Sequence, residues 1–244
     1  MLRWLRSVLR GLRGGRPRPE APRITPRSSG VVARRELADL APSPEVYLGR
    51  FGYLSLVLYE NLGRAVMAAP TPAAKSALLR AAGELGAAHA GVTAELRRLK
   101  KQDPAAAMEP YRVELDDYQR RTQGADWHEI LITCYVTAGF LSDFFAGLAA
   151  GLPKALGERV VPLVRVEIGE GILVELLRAE IADNPRLAAR LALWGRRLVG
   201  DTMLVARAAL RIDGVGPSEE RIEPVFSELI AAHTRRMDIL GLTA

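Results

Sequence analysis

Apolar residues recur at helical spacing from residue 44 to the C-terminus of this 244-residue chain, and segments typical of β-strands are weak throughout. Ser43-Pro44 and Thr71-Pro72 each place an N-cap residue before a proline at the first helical position. The pattern predicts helices over 44–68, 72–101, 105–121, 126–150, 153–182, 186–211 and 218–240. Several of them are long, and long helices with short connections favour an all-α antiparallel bundle. Residues 44–244 are therefore predicted to form one helical domain.

The first 43 residues follow a different pattern. Leu2, Leu5, Leu9 and Leu12 share one side of a hypothetical helix, and arginines occupy the other side. A short basic amphipathic helix over residues 2–12 suits an anionic membrane surface, RNA or the groove of a protein partner. The alternative is an extension without structure, including one that arises from a start codon assigned too early. Residues 14–43 are rich in Pro, Arg, Ser and Gly, which predicts a flexible linker.

Charge and cysteine content exclude several classes of protein. The formal net charge of +6 belongs to the tail, since residues 1–30 carry eight Arg and one Glu. The near-neutral remainder lacks the charge signature of a nucleic-acid-binding domain. A single cysteine, Cys134, excludes an internal disulfide framework and a cysteine-based metal site. No uninterrupted apolar run reaches the length of a membrane span, and arginines interrupt any signal-peptide core. These features predict a cytoplasmic protein, with peripheral membrane attachment through residues 2–12 as an option.

Ionisable residues interrupt the apolar faces of several predicted helices. Glu60 lies in the apolar stripe of the first helix, and His89 lies at the centre of the stripe in the second. Asp143 is flanked by phenylalanines, and Glu167 and Glu170 adjoin each other three residues apart. Buried carboxylates are costly unless they are paired, protonated or bound to a cation. Four-helix bundles that hold two iron or manganese ions arrange inward Glu and His side chains in this way.

Each of these side chains also has a simpler interpretation. Glu60 and Glu167 could each pair with an inward arginine, and His89 could be a hydrogen-bonded core histidine. His233 falls on an apolar face, which predicts a packed side chain. The C-terminal arginines are predicted to form a solvated surface: Arg196, Arg197, Arg235 and Arg236.

Five segments taken together resemble a known family. They are FGYLSLVLYENL (51–62), AMEPYRVELDDYQRRT (107–122), ADWHEILITCYVTAGFLSDFF (125–145), RLALWGRRLVGD (190–201) and AAHTRRMDILGL (231–242). As a set they resemble the actinobacterial ferritin-like-fold proteins grouped with tRNA-isopentenyladenosine hydroxylase. The resemblance implies a ferritin-like bundle with extra C-terminal helices and a non-haem di-iron centre. It also implies a tRNA or modified nucleotide as substrate, and a homo-oligomer is an open option.

Part of the family's metal pattern matches this sequence. The resemblance places Glu60 at the position of the first-helix glutamate and His89 at that of the second-helix histidine. Asp143 matches a nearby acid in the third helix. In the fourth helix, Glu167 and Glu170 occupy the acid-x-x-His positions, so a glutamate replaces the histidine.

Other positions depart from that pattern. Gly86 stands where the family has the glutamate of Glu-x-x-His, and Ala138 stands where an acid is usual in the third helix. Neither residue can bind a metal, so the resemblance implies an incomplete ligand set. The metal content therefore remains open between two ions, one ion (iron or manganese) and none.

Two functions follow as hypotheses. One is a metal-dependent oxidoreductase of the hydroxylase type with reduced or absent activity. The other is a non-catalytic helical scaffold that binds a partner or a membrane surface through its N-terminal tail.

Overall fold

The computed structural model describes residues 36–100, 103–166, 170–210 and 216–244, without the side chain of Lys100. Residues 2–12, for which an amphipathic helix is predicted, lie outside the described residues, as does the linker up to residue 35. Within the described ranges there are helices and no strands: α1 (Pro44–Ala68), α2 (Pro72–Lys100), α3 (Pro104–Met108), a 3-10 turn (Glu109–Tyr111), α4 (Arg112–Thr122), α5 (Trp127–Ala149), α6 (Lys154–Val164), α7 (Glu170–Ile181), α8 (Pro185–Ala209) and α9 (Glu219–Ile239). The prediction of an all-α bundle is confirmed.

Local capping fixes where the long helices begin. The Ser43 hydroxyl accepts a hydrogen bond from the amide of Val46 at the start of α1. The Asp126 carboxylate caps α5, and the Asn184 side chain caps α8. Side-chain oxygens at these positions satisfy amides that the helix itself leaves unpaired. The predicted helix starts near residues 44, 72, 126 and 186 are therefore confirmed to within a residue or two.

Three predicted segments differ from the structure. The helix predicted over 153–182 is two helices, because α6 ends at Val164 and α7 begins at Glu170. The helix predicted over 105–121 is interrupted by the 3-10 turn around Pro110, whose ring removes an amide donor. Residues 36–39, which fall in the predicted irregular linker, form a helical turn. Leu37 in that turn is buried against Gly147 of α5.

The apolar helix α5 lies at the centre of the bundle. It packs against α1, α6, α7, α8 and α9, whereas α1 and α2 form a hairpin on one side. Phe144 and Phe145 are fully buried and pack edge to face, with ring centroids 5.3 Å apart. Of the helices described, α5 alone is long and apolar enough to cross a membrane, and 72% of its most apolar stretch is buried inside the protein. Burial of that kind is what a core helix of a water-soluble bundle shows.

Candidate functional site

The first predicted metal ligand, Glu60, faces away from the core. Its side chain is exposed, and it accepts a hydrogen bond of 2.7 Å from Nε2 of Gln119 in α4. The buried stripe of α1 runs instead through Leu54, Leu58 and Leu62. The prediction that Glu60 interrupts the buried face is therefore wrong. Its position on the helix points it to the partly solvated boundary with α4.

His89 lies half-buried between α1 and α2. Its Nδ1 is 2.7 Å from Oγ of Ser55 and 3.2 Å from the carbonyl oxygen of Gly52. The Ser55 hydroxyl already donates to the Gly52 carbonyl, so Nδ1–H must be the donor to both oxygens. Burial lowers the pKa of His89, which favours the neutral ring. This arrangement matches the hydrogen-bonded core histidine that the sequence left open as an alternative.

Asp143 is paired with an arginine from the C-terminal helix. Nη2 of Arg236 lies 2.6 Å from Oδ2 of Asp143, and the arginine side chain is only 14% exposed. Gly139, one turn before Asp143, makes this approach feasible, since a Cβ there would lie 2.8 Å from Cδ and Cζ of Arg236. The Tyr135 hydroxyl donates to the Arg236 backbone carbonyl at 3.2 Å. The ion pair therefore links α5 to α9.

A small cavity of about 190 Å³ opens beside this ion pair. We call it the Arg236 pocket. The polar and ionisable residues in its lining are Tyr135, Ser142, Asp143, Arg165, Glu170 and Arg236. Glu170 is the first residue of α7 and is exposed at the pocket. Glu167 lies outside the described residues, so its position as a ligand remains a prediction.

The described side chains do not fit a dinuclear metal centre. Of the predicted ligands that the structure describes, Asp143 and Glu170 line the Arg236 pocket, whereas Glu60 and His89 make the separate contacts given above. Among the described residues, no group of three or more His, Cys, Asp or Glu side chains is placed to hold a metal ion. The guanidinium of Arg236 already neutralises Asp143. Its positive charge, 2.6 Å from the carboxylate, also repels a metal cation at Asp143.

Sequence reasoning missed the residues that shape this pocket. The structure places Arg236 in the interior, so its prediction as a solvated surface residue is wrong. The sequence did contain a sign that Arg236 faces inward. Arg236 follows His233 by three residues and adjoins Met237, and both of those side chains are buried. The predicted burial of His233 itself is confirmed, with 2% of its surface exposed.

Comparison with known proteins identifies the fold family. No curated protein matches the chain in sequence. The family described as the ferritin-like domain of actinomycetes matches residues 45–212, from the start of α1 to just beyond the end of α8. The matched region contains the bundle core and the Asp143 side of the Arg236 pocket, whereas Arg236 lies beyond it. The match covers more than half of the sequence, and the chain therefore belongs to the ferritin-like domain family of actinomycetes.

Proposed function

We propose that this chain is a non-catalytic, ferritin-like binding domain that lacks the oxygen-activating di-iron centre of the tRNA-isopentenyladenosine hydroxylases it resembles. The observation that carries the proposal is the Asp143–Arg236 ion pair. It places a buried guanidinium against Gly139, directly beside Ala138, where the resemblance expects a metal-binding acid. Repulsion between a fixed guanidinium and a divalent cation works against metal binding at this point.

The other ligand positions support the same conclusion. Glu60 accepts a hydrogen bond from Gln119 at an exposed boundary, and His89 lies between α1 and α2, outside the lining of the Arg236 pocket. Gly86 provides no donor atom, and a Cβ at this position would make only an ordinary contact with Tyr59. The space at position 86 is thus available, but the chain does not use it for a ligand.

Residues 2–12 supply the macromolecular contact in this proposal. Their basic amphipathic pattern suits an anionic membrane surface or a protein groove in the cytoplasm. Binding of the full-length protein to vesicles that contain anionic lipid, compared with a Leu5→Glu/Leu9→Glu variant, tests this contact. We expect the variant to lose vesicle binding, and equal binding by both proteins would contradict the assignment.

Metal analysis tests the absence of a di-iron centre. The chain is expressed with added iron, purified without chelators and analysed for elemental content. We expect clearly less than one iron per chain. A value near two irons per chain, as a two-metal enzyme requires, would overturn the proposal and favour the hydroxylase function.

A variant designed to gain metal affinity provides a second test of the same proposal. Ala138 and Glu170 line the pocket with Asp143, so Ala138→Asp/Glu170→His/Arg236→Gln adds one carboxylate, replaces another by an imidazole and removes the guanidinium. We expect this variant to bind iron or manganese more tightly than the wild type. The matched control, Ala138→Asp/Glu170→His/Arg235→Gln, makes the same charge change one residue away and retains Arg236. It should gain little affinity, since Arg235 does not line this pocket.

A further inference from the structure

We propose that the outer face of the α1–α2 hairpin is a dimerisation surface that binds a second copy of this chain. We call it the hairpin face, and it is formed by Tyr59, Gly63 and Met67 of α1 and by Leu79, Gly83 and Ala87 of α2. This inference goes beyond the proposed function, since it concerns how the domain assembles. It depends neither on the metal content of the chain nor on residues 2–12.

Large apolar side chains extend from the hairpin face into solvent. Met67 is 80% exposed, Leu79 is 63% exposed and Tyr59 is 45% exposed. The rows that carry them adjoin each other, because a Cβ at Gly86 of α2 would lie 3.7 Å from Cε2 of Tyr59. Single exposed apolar residues are common on proteins, whereas a contiguous apolar patch marks a binding surface.

Charged residues lie at the edges of the hairpin face. Glu60 lies toward α4, where it accepts a hydrogen bond from Gln119. Arg80 and Glu84 share, by helical spacing, the side of α2 on which Glu95 binds α6. An apolar centre within a polar rim is the composition of a protein–protein interface. The edge charges have both signs and no positive surplus, which suits a second copy better than a polyanion or an anionic membrane.

Two glycines lie side by side at the centre of the face. Because α1 and α2 form an antiparallel hairpin in which Tyr59 adjoins Gly86, Gly63 lies level with Gly83. A Cβ at either of these central glycines would meet no described atom within 4 Å. Without side chains at this level, helices from two copies can pack at the close end of the usual range, with axes about 8 Å apart.

The larger side chains are spaced symmetrically about the central glycines. On α1, Tyr59 and Met67 lie four residues before and after the central glycine, and on α2 Leu79 and Ala87 do the same. A two-fold axis across both glycines therefore places Tyr59 of one copy against Met67 of the other. The same axis places Leu79 against Ala87. A sulfur–ring contact and a large side chain over a small one make the face self-complementary, as a two-fold dimer requires.

The hairpin face is large enough for a specific dimer. From Pro72 to Ala90, α2 is about 28 Å long at about 1.5 Å per residue. Two packed helices with their side chains are about 20 Å wide. The face therefore covers about 560 Å² per copy, or about 1,100 Å² in a dimer, which exceeds the roughly 1,000 Å² expected of a biological interface.

Sedimentation of the full-length protein at increasing concentration tests the proposal. We expect a monomer–dimer equilibrium in the wild type. Leu79→Glu and Met67→Glu should each weaken dimerisation at least about tenfold, because the substitution enters a two-fold interface twice and buries carboxylates without partners. Val113→Glu on α4 is the matched control, since Val113 is 65% exposed away from the hairpin face. It should dimerise as the wild type does, and circular dichroism checks that all variants are folded.

Cysteine cross-linking tests the position of the two-fold axis. Gly83→Cys places a thiol at the axis, so mild oxidation should produce a disulfide-linked dimer. Gly200→Cys on α8 is the matched control, because a Cβ there also meets no described atom within 4 Å. It should cross-link far more slowly. The native Cys134 is buried, and burial raises its pKa to about 12, so its thiol does not compete.

Three outcomes would overturn the proposal. They are a protein that stays monomeric at every concentration, equal dimerisation by Leu79→Glu and Val113→Glu, and equal cross-linking of the two cysteine variants. The Leu5→Glu/Leu9→Glu variant separates this surface from the contact proposed for residues 2–12. It should dimerise as the wild type does, and loss of the dimer in that variant would contradict the hairpin face.

Discussion

His233 is a buried histidine on α9 whose two ring nitrogens have no hydrogen-bond partner among the described residues. Burial lowers its pKa from 6.5 to about 4, and the nearby positive charge of Arg236 acts in the same direction. The unfolded chain therefore takes up a proton near pH 6.5, whereas the folded chain resists protonation until about pH 4. The contribution of His233 to stability is complete above pH 6.5 and is lost as the pH falls through this window.

The size of the effect follows from the two pKa values. Between about pH 7.5 and pH 5, the preferential protonation of the unfolded chain lowers the free energy of unfolding by about 2 kcal/mol. In a domain of this size, about 1 kcal/mol corresponds to a shift of about 2–4 °C in the unfolding temperature. We therefore expect His233 alone to lower the unfolding temperature by about 4–8 °C over this range.

The assay is urea unfolding followed by circular dichroism at both pH values, on the wild type and on His233→Leu. Leucine removes the titrating group and keeps an apolar side chain at a site that offers the ring nitrogens no partner. We expect the variant to match or exceed the wild type near neutral pH and to lose less stability on acidification. A variant that loses as much stability as the wild type would refute the assignment of the pH dependence to His233. Burial also lowers the pKa of His89, so a smaller loss with the same sign should persist in the variant.

Two further predictions concern packing. Gly49→Ala is expected to destabilise the bundle by about 1–3 kcal/mol, because the added Cβ would collide with the backbone carbonyl of Ala107. Gly63→Ala in the same helix meets open space and should stabilise it by up to about 1 kcal/mol, with urea unfolding as the measurement for both. The protease-resistant core should retain Leu37 in the wild type and begin near Pro44 in a Leu37→Asp variant, as read by mass spectrometry of the fragments, because Leu37 is buried against α5. Equal unfolding of the two glycine variants, or an unchanged fragment boundary, would contradict the respective prediction.

Sequence alone was sufficient for the properties that depend on neighbouring residues. The N-caps at Ser43, Asp126 and Asn184 act on amides three residues away, so the helix starts could be predicted from short segments. The apolar periodicity predicted the all-α class and the burial of His233 for the same reason. The family resemblance added the ferritin-like architecture, which the match over residues 45–212 supports.

Helix faces and ion pairs depended on the tertiary structure. The apolar stripe predicted for α1 included Glu60, yet the side chain of Glu60 is exposed. Periodicity identifies residues that share a face, but the direction of that face is set by the helices packed around it, here α2, α3, α4 and α5.

The Arg236 pocket could not be derived from local patterns. Asp143 and Arg236 are 93 residues apart in sequence, and their contact exists because α9 packs against α5. The role of Gly139 depends on the same contact, since its missing side chain matters only where another helix approaches. The composition of the sequence determines which charged groups the chain contains, whereas tertiary packing decided that the side chain of Arg236 lies at the pocket that Ala138 lines. The physical reason is that electrostatic partners are chosen by proximity in space, which helical periodicity does not encode.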